Sequence, residues 1–191
     1  MASFVATFEA FLGLLGFAIA TGLFYGRFSR PRAYLKFSEI AVVAPFEEGS
    51  AIMFRVASYK NNMLSEAEVN ITAAIEENID GKLVSKFYQI EPTLKKINSF
   101  SLNWTLVHKI DSNSPFYGFS EDDFKNTDIE LIIMIKAFDE VFANTVVQRT
   151  SYITPEIVYG ARFLPMYHSS EDNKTTILDL DKIDDYQVVK I

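Results

Sequence analysis

The chain has 191 residues, a formal net charge of −7, 14% aromatic residues and no cysteine. Its length suits one compact domain with a short appendage. Lack of cysteine excludes a disulfide framework or thiolate metal site, and an acidic total argues against a nucleic-acid partner, which needs a basic face.

From Met1 to Gly26 the only side chain charged at neutral pH is that of Glu9, and the stretch is long enough to cross a hydrocarbon core. Phe11, Leu12, Leu14, Leu15, Phe17, Ile19, Leu23 and Phe24 each favour insertion by about 0.3–0.6 kcal/mol. Together they offset one Glu, for which a charge costs about 2.5–3.5 kcal/mol at the helix centre and less near its end. A secretion signal is the rival reading, and "AIAT" at 18–21 resembles a cleavage site after Ala20. Such signals carry Lys or Arg before the apolar core; here Arg27, Arg30, Arg32 and Lys36 follow it instead. By the positive-inside rule they keep the C-terminal side in the cytoplasm. The sequence therefore predicts a transmembrane helix over 1–28 with the bulk of the protein inside. Ala18, Gly22 and Gly26 recur every fourth residue, and an intramembrane Glu9 favours a bundle interior, so the helix is expected to have partners.

A linker is expected over 29–37, after which periodicity turns from helical to alternating. "EAEVNITAAI" puts Glu66, Glu68, Asn70 and Thr72 on one face and Ala67, Val69, Ile71 and Ala73 on the other. "IELIIMIKAF", 129–138, reads as a strand covered on both sides. Further strands are expected at 40–45, 51–58, 82–90, 104–110, 145–153, 156–161, 175–179 and 186–190, separated by turn signals such as "NIDG" and "NSPFYG". "SEDDF" predicts one short helix with Ser120 as N-cap. Many strands and little helix predict a mainly β fold, an immunoglobulin-like sandwich over 38–191.

Reactive chemistry is scarce. His108 and His168 lie in different segments without a metal-ligand spacing, and no phosphate cradle, nucleophile elbow or HExxH pair occurs. Ser114 and Asp111 lie near His108, but "DSNSP" reads better as turn chemistry. "NWT", "NIT" and "NKT" match the glycosylation pattern, which a cytoplasmic domain leaves unused. No enzyme and no cofactor are predicted.

"FEAFLGLLGFAIATGLFYGRFSRPRAYLKFSEIAVVAPF" resembles the inner helix and linker of prokaryotic inward-rectifier potassium channels. "AIMFRVASYKNNMLSEAEV", "SPFYGFSEDDF", "QRTSYITPEIVYGARF" and "ILDLDKIDDYQVV" resemble successive pieces of that family's cytoplasmic domain, in its order. The resemblance implies a K⁺-transporting homotetramer in the cell (inner) membrane, with the sandwich around a cytoplasmic vestibule and 29–37 relaying its motion. The family's filter is of the TVGYG type, built from backbone carbonyls; this sequence has no such motif, nor the first helix, so the chain by itself is expected not to conduct. A regulatory adaptor co-assembling with a full-length subunit is the alternative.

The resemblance also implies site residues. Arg27, Arg30 and Arg32, with Lys36, match positions that meet anionic lipid phosphates, although Ala33 departs from the basic pattern and simple topology marking remains open. "FDEVFANTVV", 138–147, matches a pore-narrowing loop, here Asp139, Val141, Phe142, Ala143, Asn144 and Thr145; the alternative is an ordinary hairpin. Glu66 matches an acidic position facing the cytoplasmic pore, where four carboxylates would concentrate cations. Lys136 and Lys96 stand where strong rectifiers carry acids, Phe17 where their inner helix carries one, and Glu9 lies two turns earlier near the cavity. Weak rectification is the implied outcome.

Overall fold

The computed structural model describes residues 2–60 and 63–191. It divides into two compact units, Met1–Arg32 and Ala33–Ile191.

The first unit is one helix, α1 (Ala2–Phe28), as the apolar run predicts. Every side chain along it is exposed. Its threonine hydroxyls are satisfied internally: Thr7 donates to the carbonyl of Ser3 at 2.9 Å and Thr21 to that of Phe17 at 2.8 Å. Such back-bonding removes the cost of carrying a hydroxyl into an apolar medium. Arg27 occupies the last turn, where a cation meets the negative end of the helix dipole.

The second unit is the expected β-sandwich. One sheet contains β1 (Leu35–Phe37), β2 (Ala41–Phe46), β3 (Gly49–Ser58), β7 (Asn103–Ile110) and β10 (Ile157–Tyr159). In the other are β4 (Leu64–Ile79), β5 (Lys82–Ile90), β6 (Lys96–Phe100), β8 (Ile129–Asp139) and β9 (Asn144–Ile153). Their pairings are antiparallel except β10 on β2, which is parallel. Val43, Ile52 and Phe54 from the first sheet meet Val69, Ile71, Leu131 and Ile133 from the second in one core. Alternation in 66–73 is as predicted: Ala67, Val69, Ile71 and Ala73 are buried, and the polar partners face outward.

Two-sided burial falls elsewhere than predicted. On β8, Ile129, Leu131, Ile133 and Ile135 are buried, whereas Glu130, Ile132 and Met134 are only half covered and Lys136 is open. The sheet covered on both faces is the first one. Val42 packs with Ala161 and Phe163, and Ala57 with Met166 and Ile183, on its outer side. Those covering residues come from the C-terminal segment, which holds β11 (Ala161–Phe163), β12 (Tyr167–Ser169), β13 (Thr176–Leu178) and β14 (Tyr186–Val188). Gly160 turns the chain into it at φ +70°, and a Cβ there would stand 3.0 Å from the Val189 carbonyl.

Ser120 caps α2 (Glu121–Asn126) through a reciprocal box with Asp123, as the sequence predicts. Phe124 of that helix stacks on Phe116 at 5.6 Å and seals one end of the core. The linker expected over 29–37 is shorter than predicted. Ala33 and Leu35 are buried in the sandwich and β1 pairs with β3, so the second unit begins at Ala33.

Candidate functional site

The predicted site residues fall on and just after α1, at Lys36 on β1, on the β4 bulge and on the β8–β9 hairpin that pairs beside that bulge. At the end of α1, Gly22, Leu23, Gly26, Arg27, Arg30 and Arg32 line one concavity of about 650 Å³. Gly22 and Gly26 leave the space: a Cβ at either would meet nothing within 4 Å, so the notch is floored by backbone. Three arginines therefore surround a gap beside an apolar helix. Lys36 belongs to the second unit, where its ammonium donates to the Leu180 carbonyl at 3.1 Å. Glu9 and Phe17 both lie exposed on α1, about 80° apart around the helix at 100° per residue.

Glu66 sits on a β-bulge. Ser65 pairs with Phe138, but Glu68, three residues on, pairs with Lys136, only two residues back, so one extra residue is accommodated in β4. Glu66 takes φ +50°, a left-handed conformation costing an L-residue about 1–2 kcal/mol. Its carboxylate is mostly exposed and lies 3.5 Å from Lys96. Next to it, Glu68 is flanked directly by Lys96 on β6 and Lys136 on β8. Two carboxylates and two ammonium groups thus share one patch of the outer sheet face, with formal charges that cancel. Sequence reasoning named Glu66, Lys96 and Lys136 separately and missed that Glu68 stands between the lysines.

The predicted pore-narrowing loop is a tight hairpin between β8 and β9. Asp139 faces inward: its side chain is fully buried, and Oδ1 accepts from the amides of Val141 (2.9 Å) and Phe142 (3.1 Å). Its carboxylate thus holds the turn from within and is not among the hairpin's exposed side chains. Oδ2 has no hydrogen-bond partner among the described residues. Val141 and Phe142 project outward, Ala143 turns the chain at φ +46°, and Asn144 and Thr145 begin β9 exposed.

His108 lies between two loops on β7. Nδ1 meets the Glu91 carbonyl at 2.9 Å and Nε2 the Ser114 hydroxyl at 2.8 Å. A carbonyl only accepts, so Nδ1 carries the proton and Nε2 accepts from Ser114. A serine, a histidine and a third orienting group suggest an activated nucleophile, yet Ser114 is buried and also accepts the Phe116 amide at 3.2 Å. Asp111 spends its carboxylate on the Asn113 amide. The set is turn chemistry, as its sequence suggests. His168 lies exposed on β12.

Burial pushes the His108 imidazole below its ordinary value of 6.5, with the Glu91 carbonyl and Asp111 opposing the shift. The unfolded chain therefore binds more protons just below pH 6.5, and stability falls as pH drops from there toward the folded-state value. Thermal melts from pH 7.5 to 5 should show a loss of at most about 1.4 kcal/mol per pH unit in that window. His108→Gln should abolish this component; an unchanged slope would place the titration elsewhere.

A family model for the inward rectifier potassium channel C-terminal domain matches residues 35–191. The inward rectifier potassium channel Kirbac3.1 of Paramagnetospirillum magnetotacticum is 33% identical over 183 residues, covering 95% of this chain and 62% of the relative. The inward rectifier potassium channel irk-1 of Caenorhabditis elegans is 24% identical over 190 residues, again 95% of this chain but 35% of the relative. Among solved structures, the sporulation control protein Spo0M of Bacillus subtilis matches at a TM-score of 0.32 and 9% identity, over 68% of this chain and 50% of that one, too slight to bear on the fold. With the domain matched from β1 to the last residue and the sequence likeness extending over nearly the whole chain, this chain belongs to the inward rectifier potassium channel family.

Proposed function

We propose that this chain supplies the pore-lining helix and the cytoplasmic gating domain of a K⁺ channel, and that four copies assemble around one axis in the cell (inner) membrane. One observation carries the reading: a fully exposed apolar helix of 27 residues runs, through a few basic residues, straight into the family's domain. In a single soluble chain that surface would be an aggregation hazard. In a bundle it has partners, Glu9 has a polar interior to face, and the arginines mark the cytoplasmic side. The notch among Arg27, Arg30 and Arg32 suits the phosphate of an anionic lipid, each such contact contributing about 1 kcal/mol. In this reading Val141 and Phe142, exposed at the tip of the hairpin, narrow the passage. The role is conduction and gating, without enzymatic turnover.

The 191 residues contain no TVGYG-type stretch, so rubidium flux into liposomes from this polypeptide alone is expected to be absent. Joined behind the first helix and filter of the Paramagnetospirillum relative, it should give K⁺-selective flux. A chimaera that assembles as a tetramer but stays closed to rubidium would overturn the pore-lining assignment.

A further inference from the structure

The segment that follows the membrane helix is held by side chains from the opposite sheet. Gln148 on β9 points into the sandwich, and its amide accepts from the Leu35 N–H at 3.0 Å while donating to the Leu35 carbonyl. One side chain thus completes both backbone bonds of one residue, as a neighbouring strand would. Four residues on, Tyr152 donates its buried hydroxyl to the Ser38 carbonyl at 2.9 Å. Among the described strands β9 pairs only with β8, and β1 only with β3. Each is therefore an edge, and the Gln148 and Tyr152 contacts support both edges at once. The same β9 begins at the hairpin turn that Asp139 organises.

We propose that Gln148 is a positioning residue that couples the segment leaving the membrane helix to the β8–β9 hairpin, so that loosening one loosens the other. Gln148 and Phe142 are six residues apart, on the order of 15–20 Å along an extended strand, and share no contact. The link is mechanical. Without the clamp β9 has a single ladder to hold it, and fraying spreads along the strand to the turn. This coupling is a property of the domain itself; only its use in moving a gate rests on the function proposed above.

Hydrogen exchange on the full chain in detergent micelles tests the coupling directly. Gln148→Leu should raise exchange about tenfold both at 33–38 and at the turn amides of Val141 and Phe142. Gln148→Glu, which keeps the acceptor and loses the donor, should give a smaller rise at the same two places, and serves if the Leu variant does not fold. Tyr152→Phe should show the same paired signature. Ser114→Ala, which removes a buried hydroxyl in a different loop, should leave both segments unchanged. A rise at 33–38 with wild-type exchange at 141–142, or a uniform rise matched by Ser114→Ala, would refute the coupling. Neither result bears on whether four copies enclose a pore, which the rubidium experiment decides.

Discussion

In the chimaera described above, Lys136→Glu is expected to convert weak polyamine block into strong block. The wild-type patch of Glu66, Glu68, Lys96 and Lys136 cancels to zero, so four copies present no excess negative field to a polycation. Reversing Lys136 leaves three carboxylates against one ammonium, a change from 0 to −2 per chain. Focused by low-dielectric walls, such a change concentrates cations by about ten- to a thousandfold. Spermine applied to the cytoplasmic side of patches or planar bilayers should therefore block at correspondingly lower concentrations, and the gain should shrink at high salt. Lys136→Gln should lie between. An affinity unaltered by both substitutions would mean that the patch faces away from the permeation path.

Asp139→Ala should be among the more destabilising single changes in the sandwich, and Asp139→Asn far milder. The buried carboxylate accepts two amides at the hairpin turn, and Ala leaves both without a partner. Hydrogen bonds to charged groups contribute about 1.5–3 kcal/mol, so a loss of roughly 2–3 kcal/mol is expected, lowering Tm by roughly 4–10 °C. Asn keeps the accepting oxygen and removes the buried group's formal charge, so its cost should be under about 1 kcal/mol. Equal losses for the two variants would show that charge, and not the capping geometry, is what Asp139 contributes. Asn should also leave chimaera conductance unchanged, because the side chain points inward.

Much of the sandwich could be read from the sequence because its strands announce themselves locally. The alternation from Glu66 to Ala73 and the cap at Ser120 are patterns within ten residues. The inward turn of Asp139 was in the same pattern: the buried positions of β8 are the odd ones from Ile129, and Asp139 is the last of them. Its acidity pointed the other way. β6 was missed because "KINSF" is mostly polar and exposed, with only Phe100 buried. β1 was lost inside the linker because Leu35 and Phe37 follow closely on Pro31 and a run of basic residues. The bulge at Glu66 and the flanking of Glu68 by Lys96 and Lys136 depend on register between distant strands, which no local pattern encodes. The most apolar run predicts two-sided burial at β8, whereas the cover of β2 and β3 arrives from residues more than a hundred positions later.

That late cover sets the order of events at the ribosome. Helix α1 precedes the sandwich, yet Val42 and Ala57 wait for Ala161, Met166 and Ile183, and Ile157 must reach back to Ala41. For most of synthesis the nascent domain therefore has one oily sheet face open. Until the final thirty or so residues are added, that face is the part of the domain most open to association with other copies.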